Sequence, residues 1–515
     1  MTDNQNAALY FVDRHLAEGR GDNTAFREAA GARRTLTYQE LKARSDQVAG
    51  AFVRAEIRPE ERVACIVLDQ IEYPELFWGA MKAHVVPIAL NTLLATPVYD
   101  FILNDSRAAC LVVSHELLDV VLPAARQAPY LRKIIVIGGE APEGTLSYDT
   151  FMAGAEPVPA AHVSEDECAF WLYSSGSTGE PKGVRHVHGA LKATSDTYGA
   201  QVLGIREEDT VFSVAKIFFA YGLGNAMTFP MSVGATTILF NGRPTPDVAV
   251  RVIAEERPTI FFGVPTLYAA TVAHLENTSV PDANMRLCVS AGEALPTEIG
   301  TRWTALWGVD ILDGVGSTEM LHIFLSNAPG DVVYGTSGLP VPGYDLRCVN
   351  EAGEEIKTGE VGELLVRGAS AAEGYWNKRS KSRATFEGEW TRTGDKYEIT
   401  EEGRYVYCGR TDDMFKVSGI WLSPFEVEQA LIEHPGVLEA AVVPQRDGDD
   451  LEKPKAFVVL KEGADRDAVL PELKDFVKER VGLWKYPRWI EAVDDLPKTA
   501  TGKIQRFRLR EGAEA

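Results

Sequence analysis

The sequence has few basic residues for its length. Its 515 residues include 52 Lys and Arg but 74 Asp and Glu, which gives a formal net charge of −22. Such a chain repels nucleic acid and anionic membrane surfaces, so neither is an expected partner. The sequence also lacks a run of about 18 apolar residues, the length that crosses a bilayer. The first twenty residues contain Asp3, Asp13 and Glu18 and no apolar core of a signal peptide. We expect a cytoplasmic protein.

Cysteine is sparse and shows no metal-binding or redox spacing. The six cysteines lie far apart and form no C-x-x-C pair, and most of them fall inside apolar, strand-like runs. Zinc sites usually show patterned spacing, and scattered cysteines in apolar runs favour free thiols over a disulfide framework. The sequence therefore predicts buried free thiols.

Short β-rich runs alternate with helical stretches over most of the chain. Thr37 to Glu40 form a capping box that predicts the start of a helix. Because the strands are apolar and separated by helices, they predict α/β layers with largely parallel, buried strands. The predicted strands are residues 62–68, 110–113, 133–137, 168–173, 259–264 and 286–291.

The pattern changes from about Val361. Residues 362–368 and 404–407 predict antiparallel strands joined by polar turns such as 401–403. The last hundred or so residues predict a small α+β unit, with strands at 437–443 and 455–460 and an amphipathic helix at 471–481. A polar break at 409–413 marks the predicted domain boundary. A chain of this length can hold two or more domains.

The densest polar motif is Y-S-S-G-S-T-G-E-P-K-G, from Tyr173 to Gly183. Glycines let backbone N–H groups approach an anion, hydroxyls add donors, and Lys182 adds a positive charge. The motif therefore predicts a phosphate-binding loop at the end of a buried strand. It differs from the Walker A pattern, which requires G-x-x-x-x-G-K-[ST]. A flexible surface turn is the alternative for the motif taken alone.

Four further segments are individually weak signals. D-G-V-G-S-T-E (313–319) could place a carboxylate near a nucleotide and a hard cation, or be a polar turn. Asp395 follows a tight turn, where an Asx turn is the usual role. Residues 409–419 could be a solvated connector. Lys503 sits on a Gly-containing loop near the end, where most lysines are merely exposed.

Together, in this order, the five segments resemble the adenylate-forming superfamily, which comprises acyl- and aryl-CoA synthetases, peptide-synthetase adenylation domains and luciferases. The resemblance covers essentially the whole chain. It implies an α/β fold with a large N-terminal α/β domain of layered sheets plus a β-rich subdomain (residues 1–410). A small mobile α+β C-terminal domain (residues 411–515) would follow, with Asp412 as the hinge.

The resemblance also implies roles for individual residues, with ATP, Mg²⁺ and coenzyme A as cofactor and co-substrates. Lys503, Thr178 and Glu319 would be catalytic, and Glu319 would hold Mg²⁺. The residues implied to bind the nucleotide or coenzyme A are Ser174, Ser175, Gly176, Ser177, Gly179, Lys182, Gly292, Glu293, Asp313, Thr318, Asp395, Arg410 and Gly419. Many acetyl-CoA synthetase relatives have Arg two residues after this last glycine, whereas this chain has Trp421.

The acid substrate is addressed by two other strings. K-I-F-F-A-Y-G-L-G-N (216–225) contains no acidic residue, which disfavours an amino acid because its α-ammonium would be buried unpaired. The segment is aromatic and apolar, as suits a flat ring. This string and G-S-T-E-M-L-H-I-F-L-S-N (316–327) resemble bacterial benzoate–CoA ligases. On that resemblance, Ala220, Tyr221, Ala291, Gly316, His322 and Ile323 would line the ring pocket.

The resemblance thus predicts an acid–thiol ligase that converts benzoate, ATP and coenzyme A into benzoyl-CoA, AMP and pyrophosphate. Ligases for hydroxybenzoate, aminobenzoate or another small aromatic or cyclic acid remain alternatives. Each pocket residue could also be an ordinary core residue. A non-catalytic nucleotide-binding homologue is disfavoured because Lys503, Glu319 and Asp395 are all present. The sequence leaves open whether the protein forms a homodimer.

Overall fold

The computed structural model describes residues 4–175, 180–276, 278–417, 420–448, 451–482, 485–498 and 504–513. The strands are β1 (Thr24–Glu28), β2 (Thr35–Thr37), β3 (Arg62–Ile66), β4 (Val86–Ala89), β5 (Cys110–Ser114), β6 (Lys133–Ile137), β7 (Leu146–Ser147), β8 (Cys168–Ser175), β9 (Pro181–Val187), β10 (Thr210–Ser213), β11 (Thr236–Leu239), β12 (Ile260–Gly263), β13 (Leu287–Ser290), β14 (Ile311–Gly316), β15 (Ile323–Ser326), β16 (Leu339–Pro340), β17 (Asp345–Val349), β18 (Val361–Arg367), β19 (Gly374–Tyr375), β20 (Phe386–Glu387), β21 (Trp390–Ile399), β22 (Tyr405–Arg410), β23 (Phe415–Val417), β24 (Ile420–Leu422), β25 (Val437–Arg446), β26 (Glu452–Leu460) and β27 (Trp489–Ala492).

The α-helices are α1 (Arg14–Ala17), α2 (Tyr38–Arg54), α3 (Glu72–Lys82), α4 (Thr96–Ser106), α5 (Leu118–Ala125), α6 (Tyr148–Met152), α7 (His188–Thr194), α8 (Ala220–Leu223), α9 (Phe229–Val233), α10 (Pro246–Glu256), α11 (Pro265–Leu275), α12 (Thr297–Trp307), α13 (Arg379–Thr385), α14 (Pro424–Ile432), α15 (Arg466–Val481) and α16 (Arg506–Ala513). A π-helical segment, Gly224–Thr228, joins α8 to α9. The predicted capping box is confirmed, because the Thr37 side chain accepts from Glu40 N–H and the Glu40 side chain accepts from Thr37 N–H.

Two large sheets carry most of the strands. Within the described residues, one sheet has the order β16-β15-β14-β13-β12-β10-β11-β1-β2 and the other β19-β9-β8-β4-β3-β5-β6-β7. Neighbours from β3 to β6 and from β10 to β14 pair in parallel, as the buried apolar runs predict. The antiparallel pairs in these sheets are β1–β2, β8–β9, β14–β15, β15–β16 and the long-range pair β9–β19. The polar motif at 173–183 belongs to one of them, since β8 and β9 pair antiparallel with Ser175 opposite Pro181.

The apolar core connects helices to the acid-binding segment predicted above. Phe52 of α2, Trp78 of α3 and Phe170 of β8 belong to one buried cluster, and Ile217 and Leu223 belong to the same cluster. The segment 216–225 is therefore anchored in the main core. Because burying large apolar side chains is the dominant stabilising term in folding, this anchoring fixes where α8 begins.

The C-terminal part is a separate small arrangement of strands and helices. β25, β26 and β27 form one sheet, and β23 and β24 form a hairpin. The predicted helix at 471–481 is five residues too short at its start, because α15 begins at Arg466. The Asp465 side chain caps it by accepting a hydrogen bond from the Asp467 N–H at 3.0 Å, and Pro471 lies inside the helix.

The six cysteines are free, as predicted, and four of them are fully buried: Cys65, Cys110, Cys288 and Cys348. Burial raises the pKa of the Cys110 thiol to about 12, so this thiol stays protonated at neutral pH. Among the described helices, none is both long enough and apolar enough to cross a bilayer.

Candidate active site

The β8–β9 hairpin places Ser174 and Lys182 opposite each other, one on each strand. The hydroxyl of Ser174 is buried and lacks a hydrogen-bond partner in the described part of the chain. Four residues of the predicted phosphate loop, Gly176, Ser177, Thr178 and Gly179, lie outside the described residues, and so does the side chain of Ser175. The described base of the hairpin thus offers a hydroxyl and an ammonium group on facing strands.

Lys182 is buried in a cluster with Glu319 and Tyr375. Its Nζ lies 3.4 Å from the Tyr375 hydroxyl, 3.7 Å from Glu319 Oε1 and 4.4 Å from the centre of the Tyr375 ring. The Tyr375 hydroxyl donates to Glu319 Oε1 at 2.8 Å. Burial lowers the pKa of Lys182, and the Glu319 carboxylate acts in the opposite direction. The cluster holds one positive and one negative group in a largely desolvated place.

The loop that carries Thr318 and Glu319 is fixed by buried hydrogen bonds. His186 Nε2 lies 2.9 Å from the Thr318 carbonyl, which can only accept, so Nε2 carries the proton. Burial lowers the pKa of His186 to about 4, so its ring is neutral at pH 7. The Ala372 N–H donates to the Glu319 carbonyl at 2.7 Å. The backbone on both sides of the Glu319 side chain is therefore held in place.

Asp395 and Arg410 face each other on the antiparallel strands β21 and β22. Arg410 Nη1 donates to Asp395 Oδ1 and to the Thr393 carbonyl, each at 3.0 Å. The carboxylate of Asp395 raises the pKa of the Arg410 guanidinium. Asp395 is buried, and the strand pairing explains why two residues fifteen positions apart form one charged pair.

Gly292 and Glu293 follow the carboxyl end of β13, and Asp313 lies on the neighbouring strand β14. Ser290, the last residue of β13, pairs in parallel with Asp313. Asp313 Oδ2 accepts from the Leu295 N–H at 3.3 Å, while the buried Oδ1 lacks a partner among the described residues. Burial raises the pKa of Asp313 to about 8. An unsatisfied buried acceptor of this kind can pair with a bound base.

Replacing Asp313 with Asn should change how stability depends on pH. Between the pKa of the unfolded carboxyl, 3.8, and about 8, folded Asp313 binds more protons than the unfolded chain does. Stability of the wild type therefore falls as pH rises through this window, by at most about 1.4 kcal/mol per pH unit. Asn retains an acceptor for Leu295 and does not titrate. We expect the melting temperature of Asp313→Asn, relative to wild type, to increase from pH 5.5 to pH 8.5. A constant difference would contradict this.

The predicted ring-pocket residues lie around α8 and the β14–β15 hairpin. The Tyr221 hydroxyl donates to the carbonyls of Gly263 at 3.2 Å and Val289 at 3.1 Å, which ties α8 to the sheet. Ala291 and Ile323 are buried in one apolar cluster, against which Tyr221 packs. Gly316 pairs with Ile323 in the hairpin, and a Cβ there would come within 2.5 Å of the His322 carbonyl oxygen. Ala220 is the first residue of α8.

His322 is buried within this group. Its Nε2 lies 3.2 Å from the Tyr221 carbonyl and 3.1 Å from Asn225 Oδ1, so Nε2 donates and Nδ1 is a lone-pair acceptor. Nδ1 has no partner in the part of the chain that the structure describes. Burial lowers the pKa of His322 to about 3, so the ring is neutral. A Cβ at residue 224 would lie 2.3 Å from His322 Cδ2, which explains the glycine there.

The remaining predicted site residues lie partly outside the described ranges. Lys503 and Gly419 do, as does the side chain of Trp421. Ile504, the residue after Lys503, is described, and its N–H donates to Glu293 Oε1 at 3.1 Å. The carbonyl of Asp412 accepts from Arg510 Nη1 at 3.4 Å. The hinge role of Asp412 stays a prediction.

The sequence predictions assign no role to three residues at the site. Tyr375 contacts both Lys182 and Glu319, and His186 holds Thr318. Asn225 stands at the end of the string 216–225, and its Oδ1 accepts a hydrogen bond from His322 Nε2. The sequence signal for His186 is its position shortly after the phosphate motif, which makes it a candidate for the same site. Tyr375 stands in no motif, and only strand pairing of β19 with β9 brings it to the site.

Comparison with known proteins identifies the class. Residues 13–376 match the family described as AMP-binding enzyme, and residues 426–503 match the AMP-binding enzyme C-terminal domain. The chain therefore belongs to the AMP-binding enzymes, which confirms the resemblance to the adenylate-forming superfamily.

Its relatives are similar over almost their whole length. The chain is 51% identical to 4-hydroxybenzoate–CoA/benzoate–CoA ligase of Rhodopseudomonas palustris, over 98% of this chain and 94% of that protein. It is 52% identical to benzoate–CoA ligase of Thauera aromatica, over 98% and 95%. The crystal structure of a benzoate CoA ligase from Burkholderia xenovorans LB400 superposes with a TM-score of 0.90 at 48% identity, covering 98% of this chain and 99% of that one.

Proposed function

We propose that this protein is an AMP-forming benzoate–CoA ligase. It would convert benzoate and ATP into benzoyl-AMP and pyrophosphate, and then transfer the benzoyl group to coenzyme A with release of AMP. The observation that supports this most is the β14–β15 hairpin. Residues 313–323 of this hairpin carry predicted site residues of three kinds in one continuous stretch. They are Asp313 at the adenine site, Glu319 beside Lys182, and the ring-pocket residues Gly316, His322 and Ile323. The similarity to the two benzoate–CoA ligases above covers 98% of this chain.

The first step joins two anions. A carboxylate oxygen of benzoate attacks the α-phosphorus of ATP, and the bond to pyrophosphate breaks. Such a step needs fixed positive charge and positioned donors. Lys182 supplies buried positive charge near the base of the phosphate loop, and Ser174 supplies a buried hydroxyl that lacks a partner among the described residues. Lys503 would approach the α-phosphate. Asp395 would accept hydrogen bonds from the ribose hydroxyls, with Arg410 holding its carboxylate in place.

In the second step the sulfur of coenzyme A attacks the benzoyl carbonyl carbon. The bond from that carbon to the AMP oxygen breaks, and the thiol proton is lost to solvent or base.

We propose that the C-terminal domain, residues 411–515, turns about Asp412 between the steps. The boundary at 410 falls between the two matched family segments, 13–376 and 426–503. The free cysteines support a cytoplasmic location, because the cytoplasm keeps thiols reduced.

The carboxylate of Glu319 suits Mg²⁺. The described residues contain no group of three or more His, Cys, Asp or Glu side chains that could hold a metal ion. A single carboxylate such as that of Glu319 fits Mg²⁺, because this ion is commonly bound through one or two carboxylates together with substrate phosphates and water. When bound, the ion would neutralise charge on the departing pyrophosphate. Glu319 would hold it, while Tyr375 keeps one carboxylate oxygen oriented through its 2.8 Å hydrogen bond.

The ring pocket is uncharged at neutral pH. Burial raises the pKa of Tyr221 and lowers that of His322 to about 3, so both side chains are neutral. Apolar Ala291 and Ile323 complete this surface. A ring without charge can enter at no electrostatic cost, whereas an α-ammonium group would be desolvated without a partner. This favours a simple aromatic acid over an amino acid.

A second candidate function is a ligase that also accepts benzoates carrying a hydroxyl or amino group. The observation in its favour is His322 Nδ1, a buried acceptor that lacks a donor among the described residues. A ring hydroxyl or amine could donate to it. Because an unpaired buried acceptor is costly, such a substituent would gain relative to hydrogen at the same position.

A panel of acids tests both functions. We expect ATP- and CoA-dependent AMP release with benzoate, at a kcat/KM well above that with hexanoate. A preference for hexanoate would overturn the aromatic pocket. Hydroxybenzoates and aminobenzoates, compared with benzoate in wild type and His322→Leu, test the second function. If Nδ1 accepts from the substituent, the variant should lower the ratio of kcat/KM for the substituted acid to that for benzoate by about tenfold. An unchanged ratio for every isomer excludes that role.

A further inference from the structure

Glu293 connects two distant parts of the chain. Its Oε1 accepts the backbone N–H of Ile504 at 3.1 Å, across 211 positions of sequence. Ile504 lies directly after Lys503 in the sequence. A hydrogen bond that ends on a charged acceptor is stronger than one between neutral groups.

Both ends of this contact are held by their own surroundings. On one side, Ile504 forms an isolated β-bridge with Lys498, and the Gln505 N–H donates to the Pro497 carbonyl at 2.7 Å. On the other side, Glu293 is two residues before Leu295, whose N–H donates to Asp313 at 3.3 Å. The contact therefore joins two parts of the chain. One is the segment next to Lys503, which these backbone hydrogen bonds hold, and the other is the end of β13, where the adenine base would bind.

We propose that Glu293 is a positioning residue for the first half-reaction, an inference that rests on the proposed function. Its carboxylate fixes the segment beside Lys503 against the nucleotide site while benzoyl-AMP forms. The second half-reaction uses the other domain orientation, in which this hydrogen bond is absent. Loss of the carboxylate should therefore slow the formation of benzoyl-AMP and leave its thiolysis intact. A residue that merely contacts adenine would be needed in both half-reactions.

The test measures the two half-reactions separately in single turnovers with the full-length protein. For Glu293→Ala we expect the rate of benzoyl-AMP formation from benzoate and ATP to fall by about tenfold. Thiolysis of supplied benzoyl-AMP by coenzyme A should remain within about twofold of wild type. Glu293→Gln should recover most of the first rate, because its amide oxygen can still accept from Ile504 N–H. Glu298→Ala, an exposed glutamate at the start of α12, is the matched control.

Each possible result either supports or contradicts the proposed role of Glu293. An equal loss in both half-reactions, or a rise in the KM for ATP with an unchanged rate at saturation, would assign Glu293 to nucleotide binding and overturn the proposal. Wild-type rates in Glu293→Ala would show that the contact carries no function. A Gln variant as slow as the Ala variant would also count against a simple acceptor role. Failure of the proposed function itself is distinguishable, because wild type would then show no benzoate-dependent turnover.

Discussion

Lys503→Ala is expected to lower the rate of benzoyl-AMP formation by about 100- to 1,000-fold, the loss typical of removing one group that stabilises transition-state charge. The first step brings a carboxylate to a polyphosphate, so the ammonium group offsets repulsion that peaks as the new bond forms. The second step starts from a neutral carbonyl and needs no such offset. Thiolysis of supplied benzoyl-AMP should therefore be largely unaffected. Pyrophosphate-release and thiolysis assays, each under single-turnover conditions, measure the two rates.

Lys498→Ala is the control for this prediction. Lys498 lies five residues before Lys503 and is already engaged with Glu439 at 2.7 Å and Asp495 at 2.8 Å. Its removal costs a partly exposed ion pair, worth at most about 1 kcal/mol, and should leave both half-reactions close to wild type. Equal losses of both half-reactions in Lys503→Ala would contradict a role confined to the first step.

Glu428→Ala is expected to destabilise the C-terminal part of the protein by about 3–5 kcal/mol, the range for removing one partner of a buried ion pair. Glu428 is 3% exposed on α14. Its Oε1 accepts from Val442 N–H at 2.8 Å and Arg506 Nε at 3.0 Å, and its Oε2 accepts from Arg506 Nη2 at 2.7 Å. One carboxylate thus links α14, β25 and α16. Urea unfolding and hydrogen exchange of β25 measure the effect.

A glutamate two positions earlier gives the matched comparison. Glu426 lies on the same helix, but its side chain is 40% exposed, and it pairs with Lys485 at the surface. Glu426→Ala should change the free energy of unfolding by no more than about 1 kcal/mol. If the two variants unfold at the same urea concentration, the buried network does not stabilise this part of the chain.

The sequence predicted six strands of the two large sheets, β3, β5, β6, β8, β12 and β13, because burial leaves a strong local pattern there. The apolar run at 133–137 matches β6 residue for residue, and Thr37 and Glu40 mark the start of α2 without any tertiary information. Boundaries were less certain at places where the local signal is ambiguous. Pro471 predicts a helix start, whereas α15 is capped by Asp465 and begins at Arg466, five residues before the proline.

The site was predictable where its residues stand in motifs, and not where pairing brings them together. Glu319 and Asp395 stand in recognisable strings. Tyr375 reaches Lys182 only because β19 lies beside β9. The antiparallel return of β9 was not predicted either, since Pro181, Lys182 and Gly183 show none of the usual strand composition. Contacts of this long-range kind depend on topology, which one sequence without tertiary information does not specify.

The β14–β15 hairpin limits how this enzyme can change its substrate. Under the proposed function, its strands and connecting turn would contact adenine, the phosphates and the ring at once, and Gly316 has no room for a side chain beside the His322 carbonyl. A substitution in the hairpin that reshapes the ring pocket also disturbs ATP binding. The proposed function gives the α8 residues Ala220 and Tyr221 a role toward the acid only. New acid preferences are therefore expected chiefly from substitutions in α8 and not from substitutions in the hairpin.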